Sequence, residues 1–169
     1  MINPMKRAVR LKYLQLLRLN DNPHSIALGF AIGIASGALP VMGIQTIVAL
    51  PFVLLLRCNV LGMAIGVWWT NPVTFIPIYY SEYLLGTLLG SYPRISFETF
   101  SNQLSVIKDF EGLQNLGGAI LIPMALGAIV YAVILGPLSY FGIKRVLEAR
   151  RARRREKRAK REALKAQSS

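Results

Sequence analysis

Apolar and polar positions fall into a pattern that occurs twice. Leu28-Gly29-Phe30-Ala31-Ile32-Gly33-Ile34 and Leu61-Gly62-Met63-Ala64-Ile65-Gly66-Val67 place glycines among large apolar residues in the same order. Each run meets a proline break, at Pro40 and at Pro72, and then turns apolar again. Proline lacks a backbone donor and disfavours helix in the residue before it, so each copy predicts a front arm, a break and a return arm. The first copy reads as arms 25–36 and 44–56, the second as a broken helix pair within 59–90. Gly29, Gly33 and Gly37 recur every four residues, a small face on which helices approach closely. Further helices are predicted near 5–19, with a basic face, in the polar segment 91–111, where Phe97, Phe100, Leu104 and Ile107 keep helical spacing, and in 112–143. Pro123 and Gly136-Pro137 mark expected bends in that last helix, followed by a basic helix and tail.

Composition turns this helical pattern into a membrane reading. Apolar residues make up 53% of the 169 and charged residues 17%. No Asp, Glu, Lys or Arg occurs in 22–56, 58–81 or 112–143. Three such runs in so short a chain suit a bilayer better than a soluble core. The expected fold class is therefore all-α: a polytopic membrane protein with two tandem broken-helix repeats, one further transmembrane helix, and basic helical extensions at both ends.

The net charge of +12 is carried by the ends: +4 in residues 1–23, −1 in 24–143 and +9 in 144–169. Basic ends predict cytoplasmic termini in a bacterial inner membrane. Arms of 12 and 13 residues span only about 20 Å each, short of a hydrocarbon core of about 30 Å. The first copy, 24–57, thus reads as a re-entrant hairpin and the second, 58–90, as a broken crossing. The remaining units are an interfacial helix in 1–23, a polar loop in 91–111, a transmembrane helix in 112–143 and a basic cytoplasmic tail in 144–169.

Candidate chemistry is sparse. Helix breaks in a bilayer are tolerated where the freed backbone is buried in protein or lines a polar cavity. That selects Gln45, Thr46, Thr70, Asn71 and Thr74 as substrate-binding candidates, with Gly37, Pro40, Gly43, Pro72 and Pro77 as the breaks. The same residues also read as ties that only join the two breaks. Glu82 is the one acidic residue between Asp21 and Glu98 and sits in an apolar run, which makes it a site candidate by default. Its alternatives are a structural pair with Arg57 or an interfacial position beside Tyr79 and Tyr83. Lys6, Arg7, Arg10 and Arg57 are candidate headgroup contacts. Trp68, Trp69, Tyr79, Tyr80, Tyr83 and Tyr92 read as interfacial anchors. One histidine and one cysteine predict no metal centre and no internal disulfide. Nucleophile and phosphate-loop motifs are absent, so neither an enzyme nor a cofactor is expected.

The segments Pro23-His24-Ser25-Ile26-Ala27-Leu28-Gly29, Pro40-Val41-Met42-Gly43-Ile44-Gln45-Thr46, Thr70-Asn71-Pro72 and Pro77-Ile78-Tyr79-Tyr80 resemble the bacterial membrane domain of unknown function twenty sixty-two, over about residues 5–145. The resemblance implies a small inner-membrane protein, sometimes fused to glycosyltransferases, and no catalytic residue. The expected function is a membrane carrier or lipid-handling protein with a polar site between its two breaks. The alternative is a non-catalytic scaffold or anchor for an envelope-biosynthesis enzyme. Expected partners are the bilayer, anionic headgroups at both basic ends and further copies of the chain. Nucleic acid is disfavoured, because the basic tail adjoins a membrane helix and interleaves no aromatic residue, although lipid headgroups, ribosomal RNA and simple orientation all fit its charge.

Overall fold

The computed structural model describes residues 21–40, 44–105 and 118–167. The expected interfacial helix with Lys6, Arg7 and Arg10, the break residue Gly43 and the end of the 91–111 segment lie outside them. All regular structure among the described residues is helical: α1 (Pro23–Gly37), α2 (Gln45–Leu55), α3 (Val60–Val67), α4 (Phe75–Gly90), α5 (Phe97–Ser105) and α6 (Gly118–Gln167).

Helix α1 starts on Asn22, whose side chain accepts from the His24 amide at 3.1 Å, with Pro23 in the first turn. Helix α2 ends in a left-handed Arg57 at φ 52°. There the Cys58 amide returns to the Val53 carbonyl and the Arg57 amide to Leu54, the paired bonds of a Schellman cap. The Asn59 amide then donates to the Ser25 carbonyl at 3.1 Å. The chain has come back to where α1 began, so the first copy is a closed helical hairpin.

The second copy does not turn back. Helix α3 lies parallel to α1, and the two glycine faces meet each other. A Cβ on Gly33 would overlap the Met63 carbonyl oxygen, and one on Gly66 would overlap that of Phe30. Gly29 stands the same way against Asn59, and Gly62 against Ile26. Gly62, Met63 and Gly66 occupy in copy two the places of Gly29, Phe30 and Gly33 in copy one. The contacts are therefore reciprocal, as about a two-fold axis running along the helices. Such spacing brings Cα–H groups onto facing carbonyls, each contact contributing about 0.5–1 kcal/mol.

The symmetry stops at the breaks. Past the second break α4 continues in the direction of α3. It packs antiparallel on the start of α6, where Gly86 rests on the Pro123 carbonyl and Gly127 on that of Glu82. Further along, α6 packs antiparallel on α1: Gly136 faces Ala35, the Tyr140 hydroxyl lies 2.7 Å from His24 Nδ1, and Arg151 donates to the Asp21 carbonyl. Asp21 and Arg151 thus put the start of α1 and the basic part of α6 at one end of the body. Helix α5 closes the other end through Phe100 and Leu104, which are buried against Tyr80 and Tyr83.

Helix α6 runs as one piece through Pro123 and Pro137 and on into the basic segment, where a basic helix is expected. Each proline removes one ladder bond, but dense packing holds the helix at Pro123, which is fully buried against Gly86. Among the described residues α6 is the single helix long and apolar enough to cross a membrane.

Candidate functional site

The first break leaves the last carbonyls of α1 without helical partners. Three residues from later in the chain supply donors. The Thr70 hydroxyl donates to Gly37 at 2.8 Å, the Trp69 indole to Ile34 at 3.1 Å and the Tyr79 hydroxyl to Leu39 at 3.0 Å. Gln45, the first residue of α2, shares its amide between the Gly37 carbonyl at 3.2 Å, the Leu39 carbonyl at 2.9 Å and the Tyr79 hydroxyl at 2.8 Å. Gln45, Thr70 and Tyr79 are all buried. This polar centre ties copy one to copy two.

The second break closes on itself. The Thr74 hydroxyl donates to the Trp69 carbonyl at 2.7 Å and accepts from the Asn71 amide at 3.1 Å. The Asn71 side chain accepts from the Val73 amide at 2.9 Å and donates to Trp68 at 3.3 Å, an Asx-type turn.

The candidates therefore separate. Gln45 and Thr70 come together; Asn71 and Thr74 close their own turn; Thr46 faces outward. Gly37 and the buried Pro40 lie in the first break and Pro72 in the second. Pro77 breaks nothing: it sits in the first turn of α4, where its missing amide has no helical partner to lose. Arg57 is exposed at the foot of the hairpin and makes no pair with Glu82.

Glu82 is the exception in this interior. Its side chain is 0% exposed, and neither carboxyl oxygen has a hydrogen-bond partner among the described residues. It lies one turn after Tyr79 on the buried face of α4, opposite Gly127. One turn away on α6, the Tyr131 hydroxyl donates to Ser81 at 3.0 Å. Buried polar groups are nearly always partnered, so a wholly buried carboxyl left bare stands apart from the rest of this interior.

Tyr79 and Trp69, expected as interfacial anchors, instead donate to the carbonyls of the first break. Tyr79 is 2% exposed and Tyr83 0%, so both belong to the interior. The available signal was spacing: Tyr79 stands three residues before Glu82 and so shares its helix face. Among the described residues no three His, Cys, Asp or Glu side chains come together as metal ligands.

Midway along α6 a recess of about 550 Å³ is lined by Leu138, Phe141, Gly142, Lys144, Arg145 and Glu148. Apolar and cationic walls meet there within two turns.

No curated protein and no solved structure matches the chain. The family model for an uncharacterised protein conserved in bacteria, DUF2062, matches residues 6–156, and the chain belongs to that family.

Proposed function

We propose that this protein is a small integral-membrane carrier in which Glu82 binds the cationic group, or the proton, that is carried. The bare, fully buried Glu82 carboxyl is the observation that carries this reading. A carboxylate in a low-dielectric interior needs a proton or a cation, and none of the described residues supplies one.

The exposed surface supports a bilayer around it. Ile122, Ile129, Val133, Ile134, Leu138 and Phe141 are exposed along α6. From Ile122 to Phe141 the helix rises about 29 Å, close to one hydrocarbon thickness of about 30 Å. Phe52, Leu54, Leu55 and Leu56 extend the apolar surface onto α2. Tyr131 and Gly127, the α6 residues level with the breaks and with Glu82, fall near the middle of that band. In this arrangement the first copy enters and returns, α3 and α4 cross, and α6 crosses back. The meeting of Asp21 with Arg151 favours both basic ends on one side, the cytoplasmic side of an inner membrane by the positive-inside rule. The recess at Lys144 and Arg145 then lies at headgroup depth and suits an anionic lipid. The outward apolar face of α2 suits a second copy of the chain.

The alternative is a scaffold for an envelope-biosynthesis enzyme. The centre of Gln45, Thr70 and Tyr79 favours it, because the donors of all three residues are already engaged within the fold. The two readings part at Glu82. Wild-type protein and Glu82→Gln are reconstituted into liposomes, and dissipation of proton, alkali-cation and amine gradients is followed by dye fluorescence. A carrier loses at least tenfold of its flux with Glu82→Gln at unchanged folding. Flux that is indifferent to the substitution, or no flux from folded wild type with any of the gradients, overturns the carrier.

A further inference from the structure

Helix α6 does not stop at the membrane surface. It runs unbroken to Gln167, well past the contact of Arg151 with Asp21. Residues 152–160 are exposed throughout. At 100° per residue, Arg153, Arg154, Lys157, Arg158 and Lys160 fall within an arc of about 160°. The opposite side holds Ala152, Arg155, Glu156, Ala159, Glu162 and Ala163. One half of the rod is therefore cationic and free of acid, and the other is near neutral.

Distance decides what this half-cylinder meets. Resting on the bilayer placement proposed above, Phe141 marks the edge of the hydrocarbon. Lys144 and Arg145 then stand about 5 Å beyond it, within a headgroup layer about 5–8 Å deep. Arg153 stands about 18 Å beyond, past the headgroups by more than one Debye length of about 8 Å. The helix cannot fold back onto the lipid, because Leu147 is buried against Ile26 and Arg151 holds Asp21. The five cations face water.

A cationic arc of about 160° also discriminates among polyanions. A flat acidic protein patch would engage one narrow strip of the rod. A nucleic-acid groove places phosphates on both flanks of an inserted helix and uses the whole arc. We propose that residues 152–163 of α6 form an arm that grips a nucleic-acid phosphate backbone at the membrane surface, without reading sequence.

The test uses the full-length protein in nanodiscs of zwitterionic lipid. Binding of labelled duplex RNA, duplex DNA of equal length and polyglutamate is measured by anisotropy across a salt series. Five phosphate contacts predict that log Kobs falls with log salt at a slope of about −4.5 for a duplex. Arg153→Gln, Arg154→Gln and Lys157→Gln together should flatten that slope by between about 2 and 3 and weaken binding on the order of 100-fold at low salt. Arg155→Gln, on the opposite side, should change affinity less than twofold, whereas Arg154→Gln alone should weaken it several-fold. All of these residues are exposed, so helicity by circular dichroism should hold. The proposal is overturned if Arg155→Gln and Arg154→Gln weaken binding equally, if polyglutamate binds as tightly as either duplex, or if vesicles of anionic lipid bind the arm while neither duplex does. Stronger retention of RNA than DNA, or the reverse, identifies the source of the phosphates. Bilayer insertion is read separately, by alkaline extraction of membranes, so its failure is distinguishable from a failure of the arm.

Discussion

At the first break the carbonyls of Ile34, Gly37 and Leu39 are met by side chains that arrive from elsewhere, whereas at the second Asn71 and Thr74 close the turn from within. The difference follows from what each break must do. The first reverses the chain and buries its bare carbonyls, so donors must come from α2, from α4 and from the turn after α3. The second only redirects a chain that goes on along its course, and a local Asx turn with one threonine is enough. Glu82 shares the same interior and stands against both, since no hydrogen-bond partner among the described residues meets its carboxyl. Polarity in an apolar interior is therefore not in itself a sign of function. Gln45, Thr70 and Tyr79 are consumed by the fold; Glu82 is left over.

The seam between the copies is where the comparison breaks hardest. Gly33→Leu would drive a branched side chain into the Met63 backbone, which cannot yield as a flexible side chain can. A loss of roughly 3–5 kcal/mol, or failure to recover monodisperse protein, is expected from chemical unfolding in detergent. Gly142→Ala is the matched control, because a Cβ there meets nothing within 4 Å. It should be neutral or raise stability by about 0.5–1 kcal/mol through helix propensity. Equal damage from both would mean that the reciprocal contacts of α1 and α3 do not hold the molecule together.

Removing donors should then separate the two breaks. Gln45→Leu strips an amide from two carbonyls in a buried centre and should cost about 2–3 kcal/mol. Asn71→Ala removes a half-exposed turn residue whose bonds water can replace, and should cost about 1 kcal/mol. If Asn71→Ala proves the more damaging, the second break is not self-sufficient and the contrast fails.

Much of this arrangement was legible in the sequence, and the omissions have a physical reason. Glycines four residues apart announce a face for close approach, and Pro40 and Pro72 announce breaks. Both are local properties of the chain. Which surface covers a glycine face is not local, and nothing in Gly29 or Gly33 says that their partner is the other copy. Donor supply is equally non-local: Tyr79 lies 40 residues from the Leu39 carbonyl it serves. Tyrosine is common at membrane interfaces, so the prior pointed outward while burial and one unfilled carbonyl drew the residue inward. Pro77 misled for the opposite reason. A proline reads as a breaker wherever it falls, and only the helix boundary reveals that it sits in a first turn. Glu82 was legible as an oddity because one carboxyl in a long apolar run needs no partner information to stand out.

Glu82→Gln should sharpen that last contrast. It keeps the volume and removes the charge, so stability should hold or rise by about 1–2 kcal/mol in the same detergent assay. Gln45→Leu moves stability the other way. A gain at Glu82 together with lost flux would mark a group kept at the expense of stability. A loss comparable to that of Gln45→Leu would place Glu82 among the structural ties.

The smallest effect is expected where the hairpin closes on itself. Asp21 accepts from the Asn59 side chain at 3.2 Å, from the Asn22 amide at 2.8 Å and from the Ser25 hydroxyl at 3.0 Å. These bonds, the Asn59 contact foremost, favour the carboxylate and lower its pKa below the ordinary 3.8, with Arg151 adding a lesser attraction. A carboxyl whose folded pKa is depressed contributes its stability fully above the unfolded pKa and loses it as pH falls through the folded one. The window therefore opens just below pH 4 and extends downward. The group is exposed, so the contribution should stay under about 1 kcal/mol. Unfolding of wild type and Asp21→Asn, compared at pH 6 and at pH 3, reads it: wild type should be the more stable at pH 6 by that small margin, and the gap should narrow at pH 3. A gap that is the same at both pH values would show that the hairpin is closed by Asn59 on the Ser25 backbone alone, and that the Asp21 charge takes no part in bringing the first copy back to its start.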